Sequence, residues 1–266
     1  MTRTTWLMAL TLVGSAGAAA AQGDYAIEVG AEFSRGDYGT GSDTDIWSLP
    51  ITLSYGAESW GWAVSVPWLV VRGTGDVVPS GATVVRPGRG AGGGAGAGGG
   101  IPATSARVTT ESGLGDMTVR GSVRLREETD ALPWVGLSAK AKLATADETR
   151  NLGTGENDYA LQLELAKGPL DGYLGYRLLG DPPGTDFDDT VYGGVAVSFE
   201  TGAHTLMGLD FYAEQAALAG ADDAREASLF FVHRLDAGRR LKGYVLTGFS
   251  DASPDWGAGL SLSQSF

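Results

Sequence analysis

From Tyr25 onward, apolar side chains alternate with small or polar ones, and turn-forming positions break the alternation at intervals. A period of two places successive side chains on opposite faces of a strand. The last segment is the clearest: Trp256, Ala258, Leu260, Leu262 and Phe266 share one face, and Gly257, Gly259, Ser261, Ser263 and Ser265 the other. Met117, Val119, Val123 and Leu125 likewise oppose Thr118, Arg120, Ser122 and Arg124. Trp47, Leu49, Ile51, Leu53 and Tyr55 share a face, as do Trp60, Trp62, Val64, Val66 and Trp68. Twelve such segments lie near 25–34, 45–56, 60–72, 113–127, 132–145, 157–168, 171–180, 188–200, 203–214, 226–236, 239–250 and 255–266.

The connections sort by parity. Those after even segments are short: Gly56–Ser59, Glu128–Ala131, Gly168–Leu170, Thr201–Gly202 and Ala237–Gly238. Those after odd segments are longer: Gly36–Thr44, Gly73–Ser112, Ala146–Glu156, Asp181–Phe187 and Gln215–Arg225, with Asp251–Pro254 the short exception. Segments of about ten residues have the length of tilted membrane-spanning strands, and an even count with long and short connections segregated is the pattern of a transmembrane barrel. The expected fold is all-β, an antiparallel up-and-down transmembrane β-barrel of about 12 strands. Tyr25, Trp47, Tyr55, Trp60, Trp134, Tyr159, Tyr192, Trp256 and Phe266 lie near segment ends, where interfacial girdles need aromatic rings.

The N-terminus has a different character. Arg3 precedes an apolar run from Trp6 to Val13, and small residues fill Ala16–Ala21. This is the order of a secretory signal: charge, short apolar segment, small-residue cleavage site. Residues 1–22 are therefore expected to be a cleaved signal peptide, and 23–266 one barrel domain. The competing reading, an anchor helix, requires about 20 apolar residues, and the run is shorter. Export and a barrel together predict the outer membrane of a Gram-negative cell, with lipid and lipopolysaccharide as surroundings.

Composition supports this picture. Glycine, at 42 of 266 residues, disfavours helices. The absence of cysteine excludes a disulfide scaffold and thiolate metal sites. A net charge of −13 argues against nucleic acid, whose phosphates need a basic face. The expected external loop at about 73–112 contains GRGAGGGAGAGGGIP at 88–102. A phosphate-cradling loop would be followed by a helix, and no helical periodicity follows. Acid collects at Asp43 and Asp45, over Asp181–Asp189, and at Asp222 and Asp223. Calcium ligation is the alternative to plain solvation there, but the spacing does not fit a calcium loop, and no metal or cofactor is expected.

Catalytic chemistry has little to work with. His204 and His233 both fall toward the short-turn side, and neither G-x-S-x-G nor HExxH occurs. No catalytic residue is assigned, and a barrel-embedded hydrolase is the weakest of the readings. The inward faces carry the polar chemistry instead. Alternation places Arg120, Arg124 and Arg126, Lys140 and Lys142, Glu164 beside Gln162, Arg177, Glu28 and Glu32, and Asp210 toward the lumen. On the lipid face, an Arg or Lys near the midplane would cost about 2–4 kcal/mol. Two readings remain open: a basic wall facing an acidic one across a solute path, or structural ion pairs that plug the barrel. Pro50 and Pro67 lie within segments two and three, close across the ladder, where proline removes donors. They mark a kink or a lateral exit.

The chain resembles the outer-membrane transporter family of the phenol-degradation meta-pathway type. The resemblance rests on SLPITLSYG at 48–56, the W-x-V-x-V-P run at 62–67 and SGLGDMTVRGSVRL at 112–125, and covers most of the mature chain. It implies a strand entered through Gly113, Gly115 and Asp116, and passage of small hydrophobic or aromatic molecules. The final strand ending on Phe266 resembles the signal by which outer-membrane barrels engage the barrel-assembly machinery. The alternative function is a structural or adhesive surface protein presenting the glycine-rich loop.

Overall fold

Alternation of large apolar and small polar residues leaves each segment two unlike faces, which a sheet can satisfy only by separating two environments. A computed structural model describes residues 24–75, 77–80, 83–85 and 108–266 of the chain. Its strands are β1 (Asp24–Gly36), β2 (Thr44–Gly56), β3 (Trp60–Gly73), β4 (Val78–Ser80), β5 (Thr83–Val85), β6 (Thr109–Leu114), β7 (Met117–Arg126), β8 (Trp134–Leu143), β9 (Asp158–Lys167), β10 (Leu170–Leu178), β11 (Thr190–Gly202), β12 (Thr205–Glu214), β13 (Ala224–Arg234), β14 (Arg239–Gly248) and β15 (Trp256–Ser265). Residues 1–22, read as a signal peptide, and the glycine-rich run 88–102 lie outside the described residues.

Each barrel strand is antiparallel to its sequence neighbour, and β1 closes the sheet by pairing with β15 from Ala26↔Ser265 to Arg35↔Trp256. β6 and β7 both lie along β3 and form one interrupted stave, so the 13-stranded sheet has twelve staves. Closure removes the edges that an open sheet would expose. The start of β1 and the end of the chain after β15 meet at the short-turn end, where Tyr25 N donates to Phe266 O at 3.2 Å and Phe266 N to Tyr25 O at 2.9 Å.

The outside is apolar. Ile51 is 59% exposed, Leu161 55%, Leu174 61% and Val195 62%. In water a continuous belt of this kind would drive aggregation, whereas facing acyl chains it needs no partner. Aromatic clusters bound the belt at the two ends of β1. Tyr25 lies 4.9 Å from Tyr55 and 6.3 Å from Phe266 between ring centroids. Phe33 lies 4.6 Å from Trp47 and 4.9 Å from Trp256. Trp134 and Tyr192 do not belong to these girdles. Both are 7% exposed and turn inward, where glycine leaves room: a Cβ on Gly136 would meet the Trp134 ring at 2.2 Å, and one on Gly175 the Tyr192 ring at 2.2 Å.

The fourth stave also differs from expectation. It begins at Thr109, Gly113 lies within its first part, and Gly115 and Asp116 interrupt it rather than open it. β3 pairs Trp68↔Leu114 and then Ser65↔Thr118, so three residues oppose two and a bulge results. Pro67 sits in this bulge, its carbonyl accepting from Gly115 N at 2.9 Å. Gly115 is required there, because a Cβ would meet Leu69 Cδ1 at 2.7 Å and Pro67 Cγ at 2.9 Å. Pro50 pairs directly with Pro67, and β1–β2 pairing breaks beside it, between Val29↔Ile51 and Glu32↔Ser48.

Candidate functional site

The long-loop end of the barrel is roofed from within. Ile46, Leu69 and Val71 on β2 and β3 pack with Tyr38, Val77 and Leu152 from three different loops. Val78 and Phe187 form a second cluster with Leu179, Ala217 and Leu218. Tyr38 adopts φ 47°, a left-handed conformation unfavourable for a bulky residue. Its ring is 2% exposed, and that burial pushes the phenol up to about 12.

Beneath the roof, charged side chains line the wall. Lys142 Nζ lies 2.9 Å from Asp158 Oδ2 and 3.5 Å from Asp116 Oδ2, and donates to Thr154 Oγ1 at 2.8 Å. Asp116 Oδ1 accepts from Thr145 N at 3.1 Å and Ala146 N at 3.0 Å, which ties the 144–157 loop to the stave break. Arg120 pairs with Glu164, which also accepts from Ser138 Oγ at 2.8 Å and Gln162 Nε2 at 2.9 Å. Arg177 lies 2.9 Å from Glu214, which accepts from Thr190 Oγ1 at 2.7 Å and, through its other oxygen, from the Tyr212 hydroxyl at 2.5 Å. Lys242 and Ser261 hold Glu28 at 2.7 and 2.8 Å.

The Glu28 carboxylate is paired with Lys242 of β14, across one intervening strand. These four pairs are made along the wall: Lys142–Asp158 joins neighbouring strands, while Arg120–Glu164, Arg177–Glu214 and Lys242–Glu28 each bridge one intervening strand. Strands about 4.8 Å apart on a concave surface bring alternate-strand side chains within reach of each other.

Of the residues the alternation assigned to the lumen, Glu28, Glu32, Arg120, Arg124, Lys140, Lys142, Glu164, Arg177 and Asp210 fall on the inward register. Arg120 and Lys140 are register partners, and Ala160 links Lys140 to Arg177 at the same level. Arg126 does not follow them. A register shift after Arg124 pairs it with Val135, and its exposed side chain donates from Nε to Pro133 O at 3.1 Å. Arg124 turns to Glu127 at 2.9 Å. Simple alternation missed Asp116 and Asp158 as clamps of Lys142, and Glu214, Asp171 and Glu226 as inward acids. The last three follow from parity once Asp210, Arg177 and Ser228 are taken as inward.

The histidines remain at the short-turn side. His233 faces outward beside Thr205, with Nδ1 and Oγ1 2.8 Å apart. Among the described residues, no group of three His, Asp or Glu could hold a metal ion.

No family model and no curated protein matches the chain. Among solved structures it is similar to the translocator domain of autotransporter NalP from Neisseria meningitidis, at 12% identity and a TM-score of 0.51, over 93% of this chain and 90% of that one. Similarity to the KdgM porin has 12% identity and a TM-score of 0.47, over 91% and 99% of the two chains. Similarity to the CymD monoaromatic hydrocarbon channel has 11% identity and a TM-score of 0.47, over 92% and 89%. At such identity the likeness to the translocator domain establishes a shared barrel fold.

Proposed function

We propose that this outer-membrane-type barrel is a channel for small hydrophobic or aromatic molecules. The observation that carries the reading is the interior. A barrel serving only as an anchor needs its inside filled and its charges paired. Here Asp210 Oδ2 and Ser228 Oγ are buried without hydrogen-bond partners, and unsatisfied polar groups of this kind disfavour a purely structural core. Inward rings at Tyr173, Tyr192, Tyr212 and Tyr244 supply aromatic surface beside them. The sequence resemblance supplies the solute class. Residues 1–22 act as the cleaved export signal in this reading, and the strand ending on Phe266 as the segment engaged by the barrel-assembly machinery. No catalytic step is part of this reading.

The wall at Pro50 and Pro67 gives apolar solutes a sideways way out, because ladder pairing is interrupted on both flanks of that proline pair. Reconstitution of the purified protein in planar bilayers and liposomes tests the function. Discrete conductance and uptake of a small aromatic solute are expected. Absence of both across voltage, pH and solute would overturn it.

A further inference from the structure

Register places Asp171, Ala196, Asp210, Ser228 and Leu246 in one inward row across β10–β14. The next inward row toward the loop end is Tyr173, Gly194, Tyr212, Glu226 and Gly248. Neither row contains a basic residue. Asp210 is 6% exposed and Ser228 8%, and they are register partners on adjacent strands. The orphaned atoms, Asp210 Oδ2 and Ser228 Oγ, therefore belong to neighbouring positions on one face. The charged group acting on Asp210 is Asp171, another carboxylate, and those acting on Glu226 are Glu214 and Asp210. Glu214 is already matched by Arg177. Asp210 is buried and Asp171 and Glu226 are half-buried; Ser253 supplies Glu226 a neutral hydrogen bond, and among the described residues no cation acts on either Asp210 or Glu226 to compensate lost hydration.

The surroundings of this acidic patch are aromatic. The Tyr173 ring lies over Gly194, where a Cβ would meet its hydroxyl at 2.6 Å. Phe230 lies over Gly208, where a Cβ would meet its ring at 2.3 Å, and Tyr244 is the register partner of Phe230. Tyr212 stands between Gly194 and Glu226 in its row. Aromatic faces attract cations, and most strongly where water is scarce. A bare metal ion is a poor match: hard cations want several oxygens converging on one point, and these carboxylates are spread over two rows and three strands. An ammonium group carried on an apolar body matches both the acid and the rings.

We infer that the inward wall formed by Asp171, Asp210, Ser228 and Glu226 between Tyr173 and Phe230 binds organic ammonium ions, so that the channel prefers cationic aromatic amines to neutral or anionic aromatics. This rests on the reading of the barrel as a solute channel and narrows its substrate.

Calorimetric titration of the full purified barrel in detergent with benzylammonium, benzyl alcohol and benzoate tests the site without requiring flux. Benzylammonium is expected to bind about tenfold or more tightly than benzyl alcohol, and benzoate not at all. Asp210→Asn should erase the preference, and Glu226→Gln should weaken it if the first variant folds poorly. Ser228→Ala, which keeps every charge, should leave ammonium favoured over alcohol. Equal binding of alcohol and ammonium, no binding of ammonium, or competition by sodium at equal concentration would overturn the inference. Liposome flux separates the two claims. Ammonium binding with no flux of any solute removes the channel and keeps the site; flux of benzyl alcohol with no ammonium preference removes the site and keeps the channel.

Discussion

Lys142 holds two carboxylates while its side chain is only 3% exposed, and one of them, Asp116, anchors the 144–157 loop through two backbone amides. Removing the ammonium leaves both acids buried without it. Lys142→Met is expected to cost about 3–5 kcal/mol, measured as a lowered urea midpoint of the barrel. Tyr38 reports on the roof through its proton. Its folded value, about 12, lies above the ordinary 10.0, so the neutral form is favoured by folding. The contribution is fully present below pH 10 and is lost as the pH rises through 12. The difference in tyrosinate absorbance between wild type and Tyr38→Phe should show a component titrating near 12; a component near 10 would mean the ring is not buried. The polarity of these residues was legible in the sequence, and Lys142 was singled out by strand parity. Its two partners were not, because Asp116 occupies a bulge and Asp158 begins a strand, positions where alternation says little.

Strands in this barrel are keyed to each other by rings laid over glycines. Phe230 covers Gly208, Tyr192 covers Gly175 and Tyr244 covers Gly259, each filling the space a Cβ would need. Gly208→Ala drives a methyl into the Phe230 ring and against Val197 O, 2.6 Å from the ideal Cβ. It should destabilise the barrel by about 1–3 kcal/mol, and by less in a Phe230→Leu background, because the two changes share one contact. A double-mutant cycle in urea measures this. The seam beside Pro50 permits a second test. Ala31 and Leu49 lie opposite each other where β1–β2 pairing lapses, and the chain has no cysteine of its own. An Ala31→Cys, Leu49→Cys disulfide should slow release of apolar solute into the bilayer and leave ion conductance unchanged. Equal release in oxidised and reduced protein would remove the lateral exit. Alternation and proline positions made the strands and this seam readable in advance. The bulge that places Arg126 outside was not, because one extra residue in a ladder has no signature in hydrophobic period.

At the scale of the whole molecule, the roof is assembled from loops that share no local sequence pattern. Val77 and β6 fix the two flanks of the long loop to the barrel independently of the residues between them. Deleting residues 88–100 should therefore leave the unfolding free energy of the barrel, read from urea titration, within about 0.5 kcal/mol of wild type and preserve flux. Loss of surface binding with flux intact would instead favour the adhesive reading. Period-two patterning and the parity of connection lengths determined that the chain is a twelve-stave barrel with an apolar exterior, because both are one-dimensional consequences of a strand having two faces and a membrane having two sides. Only the tertiary structure decided which charges meet. Curvature brings alternate strands together, so Arg120, Arg177 and Lys242 each meet an acid two strands along the wall. That pairing leaves Asp210 and Ser228 unmatched, a fact that depends on the register of β10 through β13 and cannot be read from any one strand.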